Sequence, residues 1–182
     1  MAVIRLNHAV LYVRDVERSV AFYHAALGMD TITAIPGRAA FLRAPASTND
    51  HDLGLFAVGA AAAPSEAGRG RVGLYHLAWE VETLVDLADA RERLQSLGAL
   101  VGASDHSTTK ALYAHDPDGI EFEVSWLVPA ALLTPELLEA RLEVLPLDLP
   151  GEIARYGAQT RGGIGDSLPA DQHSGIPRPP TG

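Results

Sequence analysis

The sequence predicts an α+β fold of two βαβββ modules whose strands form a cup-shaped mixed sheet, followed by a C-terminal helix and a Pro-rich arm. Three observations carry this reading. LNHAVLYVRDVERSVAFYHAALGMD can be set against LYHLAWEVETLVDLADARERLQSLGAL, so that His8 falls on His76 and Gly28 falls on Gly98 after a two-residue gap. In each copy an alternating apolar segment leads into an amphipathic stretch ending in Leu-Gly, which reads as a strand and then a helix closed by a C-terminal glycine. Three short runs separated by turn-forming residues follow each Leu-Gly.

The opening strand of the first copy spans residues 5–13, and its three later strands lie near residues 30–35, 39–43 and 52–58. In the second copy the corresponding segments are 73–81, 99–103, 110–114 and 120–126. GAAAAPSEAGRGR, between the copies, has the Ala, Gly and Pro content of a linker. The expected organisation is therefore a first module over residues 1–60, a linker over 61–72, a second module over 73–128 and an extension over 129–182. Within the extension, TPELLEARLEVLP reads as one helix, with Thr134 as N-cap, Pro135 in the first turn and a stop before Pro146. The closing GIPRPPTG reads as a mobile or partner-wrapping arm. The Thr134 helix and this arm are expected to pack on a second subunit, giving a homo-oligomer.

Composition narrows the function. The chain has 182 residues and 47% hydrophobic residues, enough for a full core. It has no cysteine, so disulfides, thiolate zinc sites and cysteine nucleophiles are excluded, and any metal must sit on nitrogen and oxygen ligands. MAVIRLNHAV is not a signal peptide, and no run approaches the ~20 apolar residues of a membrane span, so the expected compartment is the cytoplasm. A net charge of −9 opposes binding to nucleic acid or anionic membrane, which leaves a small molecule as the expected partner.

Alternation along the strands locates a metal constellation. In the last strand Ile120, Phe122, Val124 and Trp126 share one face, opposite Glu121, Glu123 and Ser125. His76 projects from the polar side of its strand, opposite Tyr75, Leu77, Trp79 and Val81. His8 shares a face with Leu6, Val10 and Tyr12, and the repeat gives it the same place as His76. If the sheets close into one cup, His8, His76 and Glu123 converge. Two histidines and one carboxylate on one face of a metal is the arrangement of non-heme Fe(II) oxygenases. Mn(II) is the other metal this ligand set accepts, and Glu121 is the rival carboxylate. The competing reading is a pair of hydrogen-bonded core histidines beside a solvated strand face.

The segments LNHAVLYVRDVERSVAFYHAALGM, HDLGLF, YHLAWEV and DHSTTKALYAHDPDGIEFEV resemble the vicinal oxygen chelate superfamily. They are most similar to its single-domain type I extradiol, catechol 2,3-dioxygenase-like, ring-cleaving dioxygenases. The resemblance implies an Fe(II) enzyme acting on a catechol-type aromatic with O2. His8, His76 and Glu123 would be metal ligands, His51 an acid–base catalyst, and His106 and Tyr113 donors to the bound substrate. This chain has DHSTT and DPDGI where the family form is DHG plus a small residue and DPDGN, which places Ser107 and Ile120 at the departures. Two other activities fit the same fold: a glyoxalase- or epimerase-like metal-dependent lyase or isomerase, and a metal-free binding protein of the bleomycin-resistance type.

Overall fold

The structure, a computed structural model, describes residues 3, 5–68 and 70–163. The first repeat runs β1 (Ala9–Val13), α1 (Val16–Leu27), β2 (Asp30–Ile35), β3 (Ala39–Arg43) and β4 (Leu53–Ala57). Asp15 starts α1 by accepting from the Arg18 amide at 2.9 Å, and Gly28, at φ 69°, ends it in the left-handed conformation that glycine adopts without strain. Val16, Ser19, Tyr23 and Ala26 form the buried stripe of this helix. The second repeat runs β5 (Leu77–Glu80), α2 (Leu84–Ser96), β6 (Leu100–Asp105), β7 (Thr109–His115) and β8 (Glu121–Leu127). A reciprocal cap opens α2: the Asp86 amide donates to Thr83 Oγ1 at 3.2 Å while the Thr83 amide donates to the Asp86 carboxylate at 3.0 Å. Leu84, Leu87, Ala90 and Leu94 recur at helical spacing and are buried. Burial on that scale contributes roughly 1.5–3 kcal/mol per leucine.

The repeat is also visible in the sheets. The first has the order β1-β4-β3-β2 and the second β5-β8-β7-β6, the same sequence of strand positions, with one further short strand on the second. In the first sheet β1 and β4 are parallel, whereas β3 is antiparallel to both of its neighbours. The paired part of β1 is shorter than the expected strand over residues 5–13, so His8 stands just before the ladder and pairing begins at Ala9. His76 likewise stands one residue before β5. The strands expected at 30–35 and 39–43 are found with those ends.

The extension departs more from expectation. The helix expected over TPELLEARLEVLP is α3 (Pro135–Glu139), capped by Thr134 and continued by a 3-10 turn at Ala140–Leu142, after which Glu143 is extended. A two-residue strand, β9 (Leu145–Pro146), pairs antiparallel with the end of β6, and a further helix, α4 (Leu149–Tyr156), follows. Asp148 caps α4 by accepting from the Gly151 amide at 3.2 Å. Its Asp-Leu-Pro opening has the cap and early proline of a helix start, although Gly151 in the first turn is a poor helix former. The Pro-rich arm expected near the end of the chain lies outside the described residues. No described helix is long and apolar enough to cross a membrane.

The chain forms two compact units. The first comprises Met1–Leu77, Glu92–Leu100 and Ala114–Phe122; the second comprises Ala78–Arg91, Val101–Tyr113 and the chain from Glu123. In the first, Tyr23 is 1% exposed and packs against Phe22 and Phe122. Its hydroxyl donates to Asp116 at 3.2 Å. Burial, reinforced by that carboxylate, holds the Tyr23 phenol well above its ordinary range, and burial likewise raises Asp116. In the second, the extension seats on the end of β8: Trp126 donates to the Thr160 carbonyl at 3.1 Å, and its ring meets Tyr156 at 5.4 Å. Gly162 is required there, because a Cβ would lie 2.1 Å from the Leu127 carbonyl and 2.7 Å from the Trp126 ring nitrogen.

Candidate active site

Each unit assembles part of the expected site. In the first, the β1 face that carries His8 is the open one: Leu6, Val10 and Tyr12 are exposed, whereas Leu11 and Val13 on the other face are buried. The His8 ring lies 4.5 Å from that of His51, which also meets the edge of Phe41 at 5.1 Å. His51 stands just before β4, and the backbone brings it to His8 because the Ala9 amide donates to the Asp52 carbonyl at 2.9 Å. Their other contacts are with neighbours in sequence. His8 Nδ1 is 2.7 Å from Asn7 Oδ1 and His51 Nδ1 is 2.8 Å from an Asp50 carboxylate oxygen. Each pairing leaves Nε2 as the ring atom directed elsewhere.

His76, the other expected histidine ligand, has Nδ1 3.9 Å from Glu121 Oε1, and Nε2 of His115 is 3.5 Å from Glu121 Oε2. Glu121, the rival carboxylate, thus lies between two imidazoles. A cleft of about 650 Å³ opens beside it, with Val10, Tyr12, Leu74, Tyr75 and His115 among its walls. Arg14 also lines this cleft, but its guanidinium is engaged by Asp118 at 3.1 Å and by the Ala62 carbonyl at 3.0 Å. Asp118 in turn takes the Arg14 amide and Arg18. Asp118 is thus shared between two guanidinium groups, and the cleft presents aromatic and aliphatic surface with His115, Glu121 and the Arg14–Asp118 pair among its polar groups.

The second unit holds the tightest cluster. His106 and Tyr113, seven residues apart, meet with Nε2 3.0 Å from the phenolic oxygen. Ser104, 6% exposed, completes a triangle: its hydroxyl is 2.9 Å from His106 Nε2 and donates to Tyr113 at 3.3 Å. The β6–β7 hairpin makes this meeting possible. The His106 amide donates to the Thr109 carbonyl at 2.9 Å, and Ser107 occupies the tip at φ 64°. That is the left-handed conformation glycine favours, a physical reason for glycine in the DHG form of this loop. Here Ser107 is held by two bonds instead: its amide donates to Asp105 at 2.7 Å and its hydroxyl to the Leu137 carbonyl at 2.9 Å. Asp105 also receives the Lys110 ammonium at 2.6 Å, and Glu152 on α4 approaches the same ammonium at 2.9 Å. Lys110 is 1% exposed, so a buried ion network ties the hairpin to the extension. Glu123 sits half-buried in the middle of β8. Strand alternation put Glu123 on the polar side of β8 together with Glu121, and the family resemblance singled out Tyr113. Alternation overlooked Ser104, although Ser104 and His106 are two residues apart on one side of the chain, the same parity signal.

The donor types expected for a metal, two imidazoles and a carboxylate, suit a divalent first-row ion. Among the described residues, however, no group of three or more His, Asp or Glu side chains is gathered as a ready-made cage.

Residues 5–124 match the Glyoxalase/Bleomycin resistance protein/Dioxygenase superfamily, and the chain belongs to that superfamily. It is 29% identical over 119 residues to a catechol-2,3-dioxygenase of Bacillus subtilis (strain 168), a match covering 65% of this chain and 40% of that protein. The chain thus spans well under half the length of that relative. A glyoxylase/bleomycin resistance protein/dioxygenase domain from Frankia sp. EAN1pec superposes with TM-score 0.56 at 25% identity, covering 68% of this chain and 92% of that one. The fosfomycin resistance protein FosX of Listeria monocytogenes superposes with TM-score 0.54 at 17% identity, covering 78% and 100%. At that identity the likeness concerns the fold alone.

Proposed function

We propose that this protein is an Fe(II)-dependent extradiol dioxygenase that opens a catechol-type ring with O2, built from modules over 1–60 and 73–128. The observation that carries the reading is the 3.0 Å contact between His106 and Tyr113, an imidazole and a phenol brought together from a loop and a strand at a half-buried point. The superfamily membership and the catechol-2,3-dioxygenase relative support it. Iron, or manganese in its place, would be held by His8, His76 and Glu123, and would supply Lewis-acid activation of the substrate hydroxyls and a route for electrons to O2. His51, beside His8, would accept and return a proton, which imidazole does near neutral pH without large tuning. His106 and Tyr113 would orient the substrate and donate hydrogen bonds to negative charge developing on its oxygen.

The test is to load the protein with iron anaerobically, add a panel of catechols and admit air. Oxygen uptake with a yellow ring-opened product is expected; absence of both for every catechol removes the reading. A reaction that proceeds equally without oxygen selects the lyase or isomerase activity on the same fold. A homo-oligomer, expected through the Thr134 helix, is measurable by light scattering coupled to gel filtration.

A further inference from the structure

We infer that Asp52 is a positioning residue whose carboxylate gathers the loop between β3 and β4 and so fixes the His51 ring against that of His8. Its consequence for turnover rests on the dioxygenase reading; the placement of the two rings does not. The inference starts from the donors that meet on one side chain. Oδ1 of Asp52 accepts from the Ser47 hydroxyl at 2.7 Å and from Asn49 Nδ2 at 2.7 Å, and Oδ2 accepts from the Ala44 amide at 2.9 Å. An ionised carboxylate only accepts, at about four lone-pair sites, so three donors converge on it without conflict. Hydrogen bonds to a charged acceptor are also the stronger kind.

The loop needs such a centre because residues 44–52 belong to no helix or strand. Its backbone closes one turn, from the Ser47 amide to the Ala44 carbonyl at 3.0 Å. Ser47 passes the constraint on: while its hydroxyl donates to Asp52, it accepts from the Asn49 amide at 3.1 Å. The carboxylate therefore ties the end of β3 and the middle of the loop to the residue just before β4.

The main chain of Asp52 carries that constraint to both histidines. Its amide donates to the Leu42 carbonyl at 2.8 Å, and its carbonyl accepts from the Ala9 amide at 2.9 Å. His8 precedes Ala9 and His51 precedes Asp52, so each imidazole stands one residue from the bond that joins the two segments. The result is the 4.5 Å separation of the rings, with the edge of Phe41 at 5.1 Å from His51. The His51 side chain is 18% exposed although it sits in a loop. An imidazole held in one place does not have to be ordered when a substrate arrives, which is how positioning raises a rate. All of these contacts lie within the first unit.

The test compares wild type with Asp52→Ala, Asp52→Asn and the double variant Ser47→Ala/Asn49→Ala by NMR, in the full chain with Zn(II) supplied in place of paramagnetic iron. Asp52→Ala removes the three side-chain bonds and keeps both main-chain ones. Hydrogen exchange at the Ala44 amide should quicken by roughly fivefold to tenfold, the scale of one hydrogen bond, while the Ala9 amide keeps its protection. The NOE between the His8 and His51 rings, expected in wild type, should be lost in Asp52→Ala and weakened in Asp52→Asn, which keeps one acceptor oxygen. With the best catechol of the panel, Asp52→Ala should lower kcat by roughly tenfold to a hundredfold with KM little changed, the mark of a misplaced group rather than of a less stable fold. An NOE of wild-type strength in Asp52→Ala, or in the double variant if Asp52→Ala does not fold, would overturn the inference, as would its absence from wild type. Failure of wild type to consume oxygen would overturn the dioxygenase reading instead, and the NOE comparison would still decide the role of Asp52.

Discussion

The two sheets share one strand order and differ in what covers them. In the first, Val10 and Tyr12 on β1 are 52% and 73% exposed, and every residue of β2 is exposed. In the second, Val124 and Trp126 of β8 are buried and the extension is bound to that strand's end. The side chains expected to do chemistry differ in the same way. His8 and His51 have polar contacts with Asn7 and Asp50, their immediate neighbours in sequence, whereas His106 is fixed by Ser104 and Tyr113 on two strands. A duplicated topology therefore carries histidines with local polar contacts beside one sheet and a preorganised hairpin in the other. Preorganisation requires ions to be buried and a backbone to be held in a left-handed turn, and both costs fall in the second sheet.

The largest expected effect tests the buried network. Lys110→Ala removes a cation held by two carboxylates and leaves Asp105 and Glu152 facing each other, which should lower unfolding stability by about 3 kcal/mol or more. Urea denaturation measures it, and a loss below ~1 kcal/mol would mean that the extension is not coupled to the hairpin through this ion. Next is Gly162→Ala. Its methyl would enter a space 2.1 Å from the Leu127 carbonyl, so overpacking of about 1–3 kcal/mol is expected, along with weaker protection of the Trp126 indole N–H in hydrogen exchange. Unchanged protection would separate the extension from β8.

A smaller, pH-dependent effect belongs to the first unit. Burial raises the Asp116 carboxyl, so the folded chain binds its proton more tightly than the unfolded chain does. Its contribution is most favourable below the ordinary carboxylate value, declines as pH rises through the elevated folded value, and is flat above it. Asp116→Asn should remove that slope from a plot of stability against pH in the mildly acidic range. A slope equal to that of wild type would assign it to other carboxylates. The smallest effect is at the hairpin tip. Ser107→Gly relieves a left-handed conformation worth about 1 kcal/mol but gives up the bond to the Leu137 carbonyl, worth about as much, so thermal stability should change by less than ~0.5 kcal/mol.

Much of this architecture is legible in the chain. The histidine-aligned repeat gave two βαβββ element orders, and the β2 and β3 segments coincide with their predicted ends because turn residues bracket them on both sides. Alternation also placed the buried side of β8 correctly. On β1 it left the sides open, since Leu6, Val10 and Tyr12 form as apolar a face as Leu11 and Val13; the structure assigns burial to the latter pair. The long helix expected after Thr134 ends at Glu139 and passes into a 3-10 turn over Ala140–Leu142. Lys110 and Glu152 lie 42 residues apart, and nothing local in either marks it as half of a buried ion pair. Ser104 was missed for a related reason: a serine in a strand is chemically silent until the hydroxyl and imidazole facing it are known.

The central claim is that this chain holds a divalent metal through His8, His76 and Glu123 for oxygen-dependent chemistry. Elemental analysis of freshly purified wild type and of His76→Ala, matched by circular dichroism to confirm folding, tests it most directly. The account predicts stoichiometric iron or manganese in wild type and its loss in His76→Ala. Metal at equal occupancy in both, or a wild type that retains none when purified anaerobically with Fe(II) supplied, would contradict it.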